Sequence, residues 1–224
     1  MPSGCRSGKL AARCQTGCVT QPPRTTTDAA PARRGRPGYD PQQILAAAVE
    51  LFIAHGYDAT SVAAVAERLG LTKSALYHHY ESKEHLLRVA LDEALGGLEG
   101  VLSESGAREG SAGERLEYVL RGAVRVLVDR LPYVTLLLRV RGNSEVERQA
   151  LERRRAFDHR ITDLLRDAQA EGTVRIDVDP SVATRLVFGM VNSIVEWYRP
   201  TGPEGAGELA DDVLRIALDG LRTR

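Results

Sequence analysis

The 224-residue chain is predicted to be all-α, and three observations predict it. From Asp40 onward apolar residues recur at three- and four-residue spacing, the signature of one buried helix face. Cap-forming residues and glycines punctuate those runs where helices must start and stop. Strand signals are nearly absent, TVRIDVD (173–179) being the only alternating stretch.

The first helix follows Asp40, a good N-cap, and Pro41, whose fixed φ suits the first helical position; Ile44, Leu45, Ala48, Leu51 and Phe52 form its apolar face, and His55-Gly56 ends it. Thr60 is expected to cap a short second helix carrying Val62, Val65, Ala66 and Leu69 before Gly70. Thr72 caps a third, Lys73 to about His79, and Ser82 a fourth that runs through Leu86, Leu87, Ala90, Leu91 and Leu95 to about Val101. The Gly/Ser-rich ESGAREGSAG (104–113) is a loop. Helices are then expected near 114–130, 132–141, 144–171, 180–198 and 206–222, about nine in all.

Composition bounds the function. With 43% hydrophobic and 27% charged residues, no run of eighteen apolar residues, and no apolar secretory stretch in the first thirty positions, a cytoplasmic protein without membrane contact is expected. The net charge of zero is uneven: residues 1–38 carry seven basic side chains against Asp28 alone, and the rest of the chain is acidic by the same amount. This stretch reads as a disordered basic arm, a common contact for nucleic acid or simply a solvated tail. Cys5, Cys14 and Cys18 all fall in it, an odd count without the spacing of a zinc site. No G-x-S-x-G, phosphate loop or H-E-x-x-H occurs, so no catalytic residue, cofactor or metal is expected.

LTKSALYHHYESK (71–83) is the most informative stretch. Two short helices joined by a few residues with Gly70 in the turn form the unit that sets its second helix in a DNA major groove. Ala66 is small where the helices cross, and Leu76 is expected beneath both. Lys73, Ser74, Tyr77 and His78 then face outward, with hydrogen-bonding groups suited to base edges and phosphates. His79 points to the flank, and Lys83 lies in the first turn of the next helix, where free N–H groups attract phosphate. Taken alone, the aromatic cluster reads more readily as a partly buried polar rim than as a functional surface. A metal site fits poorly, because adjacent His78 and His79 diverge by about 100° on a helix.

With those residues in view, ILAAAVELFIAHGYDATSVAAVAERLGLTKSALYHHYESKEHLL (44–87) resembles the DNA-binding domain of the TetR family of transcriptional regulators along its whole length. Tyr80 stands where Phe is more usual in that family. The resemblance implies a homodimer whose paired recognition helices enter successive major grooves of a palindromic double-stranded DNA operator. It implies that Lys73, Ser74, Tyr77 and His78 resemble the groove-facing set, and Thr60, Thr72, His79 and Lys83 the phosphate-contacting set. RRGRPG (33–38) places Arg34 and Arg36 ahead of the first helix, where such side chains can enter a narrow minor groove.

The domains expected are the arm (1–38), a helix-turn-helix domain (39–86) and a helical ligand-binding and dimerisation domain (87–224). In the last, Tyr133, Leu136, Leu137 and Val140 read as core or pocket wall, with Arg139 and Arg141 at the end of that run. The alternating Glu and Arg of 145–155 read as a solvated face. By the same resemblance the last two long helices pair across a dimer, through Leu186, Gly189, Met190, Ser193 and Ile194 on one and Leu209, Val213, Ile216 and Ala217 on the other. LLLRVRGNSEVERQALERRR with VNSIVEWYRP is similar to a branch of the family that senses acyl-CoA thioesters. That similarity implies a small hydrophobic effector whose phosphates pair with Arg139 or Arg141, a drug or steroid-like molecule being the alternative. The reading is of a ligand-released repressor, set against a helical small-molecule-binding protein of the same fold without specific DNA binding.

Overall fold

The computed structural model of the chain describes residues 40–202 and 205–222, so Arg34, Arg36 and the three cysteines lie outside the described residues. Nine α-helices are found among them: α1 Pro41–His55, α2 Val62–Arg68, α3 Lys73–His79, α4 Lys83–Ser103, α5 Ala112–Asp129, α6 Leu131–Arg139, α7 Glu145–Ala170, α8 Pro180–Trp197 and α9 Ala206–Leu221. TVRIDVD forms no strand there; Val174 only makes an isolated antiparallel bridge to Arg222, with Arg175 N–H on the Leu221 carbonyl at 2.8 Å.

Side-chain caps set most of the starts. Asp40 accepts from the Gln42 N–H, Thr72 from Ala75 and Ser82 from His85, as their positions predict. One expectation fails by a residue: Ser61, not Thr60, caps α2, accepting from Ala64 at 3.1 Å. Thr60 instead turns inward, its hydroxyl donating to the carbonyls of Gly56 (2.8 Å) and Leu51 (3.3 Å). Leu51 lies in the last turns of α1 and Gly56 is its C-cap, so Thr60 closes the first helix rather than opening the second. Before α5, Ser111 and Glu114 form a capping box, and the loop ahead of it holds a 3-10 turn at Ser105–Ala107.

Gly70 ends α2 in the left-handed region at φ 63°, with its own N–H on the Glu67 carbonyl and that of Leu71 on Ala66. This is a Schellman closure, which a Cβ penalises by about 1–2 kcal/mol. It swings α3 across α2 with Leu76 completely buried between them. Tyr80, at the end of α3, is buried as well, and its hydroxyl donates to the Pro41 carbonyl at 2.9 Å, tying the end of α3 to the start of α1.

Helix α4 runs without a break through Leu86 and Leu87, where the sequence suggests a domain boundary. It packs on α1 at one end and on α5, α6 and α7 along its length. α6 lies against α1, and α5 sits between α7 and α9. Gly122 lets α5 approach α4, since a Cβ there would collide with Val101. Between α4 and α7, the Arg153 guanidinium makes a two-pronged contact with Glu99 (2.8 Å on each oxygen) and a further one with Asp92. The charged run of α7 is therefore more than a solvated face. The Arg153 guanidinium holds the Glu99 carboxyl below its ordinary range.

Two substitutions separate the contributions in the helix-turn-helix. Leu76→Ala leaves a cavity under α3 and is expected to cost about 2–5 kcal/mol. Tyr80→Phe loses one partly buried hydrogen bond and is expected to cost about 1 kcal/mol. Urea unfolding of the two variants beside the unsubstituted protein checks both.

Candidate functional site

The α3 surface is built by burying Leu76, which rotates the other side chains of the helix outward. Thr72, Lys73, Ser74, His78 and His79 are exposed, and Tyr77 is 49% exposed although it is large and aromatic. The two histidine rings meet edge-to-face at 5.4 Å. Seven residues place this cluster of donors, acceptors and rings on one convex helix, a shape that enters a groove rather than encloses a ligand. No group of three or more His, Cys, Asp or Glu among the described residues could hold a metal ion.

Beside α3 lies a shallow depression lined by Asp58, Ser61, Lys73, Tyr77 and Lys83 among others. Lys83 Nζ sits 4.2 Å from the Tyr57 ring centre and donates to the Asp58 carbonyl at 3.3 Å, so it is held at the edge of this surface. Exposed Ser61 at the start of α2 belongs to the same surface and was missed in the sequence because Thr60, an equally good cap former, precedes it. Thr60 is only 4% exposed, and its hydroxyl is occupied within the chain.

The residues expected around a ligand divide between two spaces. Arg139, Val140, Arg141 and Leu136 line a cleft of about 660 Å³ at the joint between α6 and the α1–α2 turn, facing His55, Tyr57 and Asp58. Within it the Arg139 guanidinium donates to the Ile53 carbonyl at 2.7 Å, capping the end of α1 from α6. Glu147, 4% exposed, accepts from the backbone N–H groups of Gly142 and Asn143 at 2.9 and 2.6 Å and so fixes the α6–α7 turn. Burial, helped by the nearby Glu84, Asp58 and Glu147 carboxylates, pushes the Tyr57 hydroxyl up to about 12.

Leu137 faces the second space, an apolar chamber in the helical body. Leu98, Leu127, Val134, Leu138, Phe157, Phe188 and Val191 complete much of its wall. It holds about 30 Å³, room for two or three water-sized groups at ~10–15 Å³ each. Tyr133 is half-buried against the core and lines neither space.

The chamber opens toward a groove of about 550 Å³ between α7 and α8. Arg154, Arg155, His159, Arg166 and Arg185 line the groove, and the Thr162 and Thr184 hydroxyls meet at 2.9 Å where the two helices cross. Arg154, Asp158, Phe188 and Asn192 border both spaces and form the neck between them. Sequence reasoning passed over these positions because a run of alternating charge does not reveal which arginines find partners. The Asp158 carboxyl is raised by burial, with Arg154 and His159 opposing the shift.

On the outer side of α8, Val182, Leu186, Gly189, Ser193 and Trp197 form an exposed stripe at helical spacing, Leu186 being 69% exposed; Ile216 of α9 is exposed as well. Met190 is half-buried, while Ile194, Leu209, Val213 and Ala217 are buried in the chain's own core. The apolar stripes of α8 and α9 are wider than one face, and only their outer edges remain available to a partner.

Known proteins share the fold and its two-part sequence pattern. Residues 44–90 match the family profile described as bacterial regulatory proteins, tetR family, and residues 109–221 match the tetracyclin repressor-like C-terminal domain. The crystal structure of SCO3833, a TetR regulator from Streptomyces coelicolor A3, is 58% identical, with a TM-score of 0.75 over 80% of this chain and 91% of that one. The transcriptional repressor KstR2 of Mycolicibacterium smegmatis is 26% identical over 86% of this chain and 95% of its own. AibR, solved with isovaleryl coenzyme A and operator DNA, is 26% identical, with a TM-score of 0.65 over 79% of this chain and 96% of that one. With one profile on the helix-turn-helix and another on half of the chain behind it, this protein belongs to the TetR family of transcriptional regulators.

Proposed function

We propose that the chain is a cytoplasmic transcriptional repressor that binds a palindromic operator as a homodimer and is released by an acyl-CoA thioester. The observation that carries the DNA reading is the α3 surface, where burial of Leu76 turns Lys73, Ser74, Tyr77 and His78 outward together. In a groove, Tyr77 and His78 reach base edges, while Thr72, Lys83 and Ser61 at helix starts meet phosphates. Few cations lie on this surface, so the salt dependence is expected to be modest.

A second copy covers the stripe from Val182 to Trp197. Contiguous exposed apolar side chains on a regular helix mark an association surface, and two-fold pairing makes such a surface self-complementary. Pairing of this kind sets two α3 helices about 34 Å apart, one turn of DNA.

The effector reading rests on the apolar chamber joined to a basic groove. A short acyl chain enters the chamber by widening it, and the phosphates of a CoA head group suit Arg155 and Arg185, which make no ion pair among the described residues, better than Arg139, which already caps α1. AibR, captured with a short branched acyl-CoA and DNA, supports this class. The chamber is smaller than an acyl chain, so filling it parts its walls, among them Val134, Leu137 and Leu138 of α6. α6 holds the end of α1 through Arg139, so its displacement reaches the helix-turn-helix.

Fluorescence anisotropy with DNA from upstream of the protein's own gene tests the DNA reading, with shuffled DNA as control. Tyr77→Ala is expected to weaken specific binding by roughly 5- to 150-fold, equivalent to about 1–3 kcal/mol, and Lys73→Ala to reduce the salt slope by about one. Equal affinity of the two DNAs for the unsubstituted protein contradicts the reading. Leu186→Arg is expected to give a monomer in sedimentation and to lose tight operator binding; a dimer of unchanged affinity removes the stripe from the interface.

A further inference from the structure

The neck between chamber and groove carries polar groups that the chain itself leaves unsatisfied. Arg154 and Asp158 stand one helical turn apart on α7, within pairing reach but with the base ahead of the acid, the less favourable order. The pairs that close elsewhere on this helix, Arg148 with Glu145 and Arg166 with Asp163, have the acid three residues ahead of the base. Here no hydrogen bond or ion pair forms, although the two groups feel one another electrostatically. Asn192, facing them from α8, has no side-chain hydrogen bond either. Asp158 is half-buried beside Phe157 and Phe188, so a ligand that donates to it replaces water at a partly desolvated carboxylate. Three open polar groups at one constriction, apolar wall on one side and arginines on the other, mark a built site.

We infer that Arg154, Asp158 and Asn192 read the neutral amide-bearing linker of a bound thioester and reject a free carboxylate; this rests on the effector reading above. Arg154 and Asp158 together are neutral and offer one set of donors and one of acceptors, while the Asn192 amide offers both. An amide group matches that set: its N–H donates to Asp158, and its carbonyl accepts from Arg154 or Asn192. A thioester with its acyl end in the chamber brings its first linker amide to this height. A free fatty acid seated the same way brings a carboxylate against Asp158, and like charges repel most strongly where water is scarce. The neck thus distinguishes an activated acyl group from the acid it came from, independently of the phosphates farther out.

The test uses isothermal titration of the full-length protein with S-isovaleryl-pantetheine, isovalerate, isovaleryl-CoA and free CoA. The pantetheine thioester lacks the nucleotide and so isolates the neck from the groove. The unsubstituted protein is expected to bind it at least tenfold more tightly than isovalerate. Asp158→Asn, nearly identical in shape, is expected to weaken the thioester about fivefold or more and to bring isovalerate within threefold of it. Asn192→Leu is expected to weaken the thioester without improving isovalerate, and operator binding without ligand verifies folding of both variants. If isovaleryl-CoA binds but Asp158→Asn leaves the thioester-to-acid ratio unchanged, the inference is overturned and the effector reading stands. If isovaleryl-CoA does not bind the unsubstituted protein, both are overturned. Groove variants Arg155→Ala and Arg185→Ala are expected to weaken isovaleryl-CoA while leaving that ratio intact; a changed ratio contradicts the separation of neck from groove.

Discussion

The buried face of α4, from Leu86 and Leu87 through Ala90, Leu91 and Ala94 to Leu95, is the constraint on which the other parts of the structure depend. Its N-terminal turns pack on α1, and its later turns form one wall of the helical body. Only Tyr80, Glu81 and Ser82 separate α3 from α4, so the direction of the recognition helix is inherited from the helix that follows it. Tightly packed interiors shift between discrete arrangements rather than bending smoothly. On the proposed reading, a recognition surface joined to such a helix would move when the body repacks and otherwise hold still.

Helix α6 gives that rigidity a means of response. One face closes the apolar chamber, and its last residue, Arg139, donates to the carbonyl of Ile53 at the end of α1. The joint cleft on the other side is bordered by the α1–α2 turn, whose Asp58 and Ala59 also border the depression beside α3. On the proposed effector reading, a ligand that widens the chamber would act on α1 through Arg139 of α6 and on α4 through Leu98 in the chamber wall. Couplings of this type amount to about 1–3 kcal/mol, enough to change operator affinity by one or two orders of magnitude.

Much of the helix-turn-helix was legible in the sequence because its determinants are local. Asp40, Thr72 and Ser82 cap the helices they precede, Gly70 supplies the one backbone conformation that turns the chain, and Leu76 is the single apolar position of α3 that both neighbours can cover. Ambiguity begins where two residues satisfy the same local rule: Thr60 and Ser61 both make good caps, and only packing shows Thr60 bonded back onto α1. The cavities were less legible because their walls come from residues far apart in sequence, such as Leu98 and Val191. Spacing alone could not tell that Arg153 crosses to α4, that Arg148 stays on its own helix, or that Arg154 has no partner. The apolar faces of α8 and α9 were legible as faces, but much of α8's and nearly all of α9's serves the chain's own core.

The most direct test of this coupling is reciprocity between the two ligands. Operator affinity would be measured by anisotropy with and without saturating isovaleryl-CoA, and isovaleryl-CoA affinity by titration with and without saturating operator DNA. Coupling through one shared equilibrium predicts that each ligand weakens the other by the same factor, roughly five or more. Operator affinity unchanged by saturating isovaleryl-CoA, with the thioester bound, would contradict the link from chamber through α6 to the recognition helix.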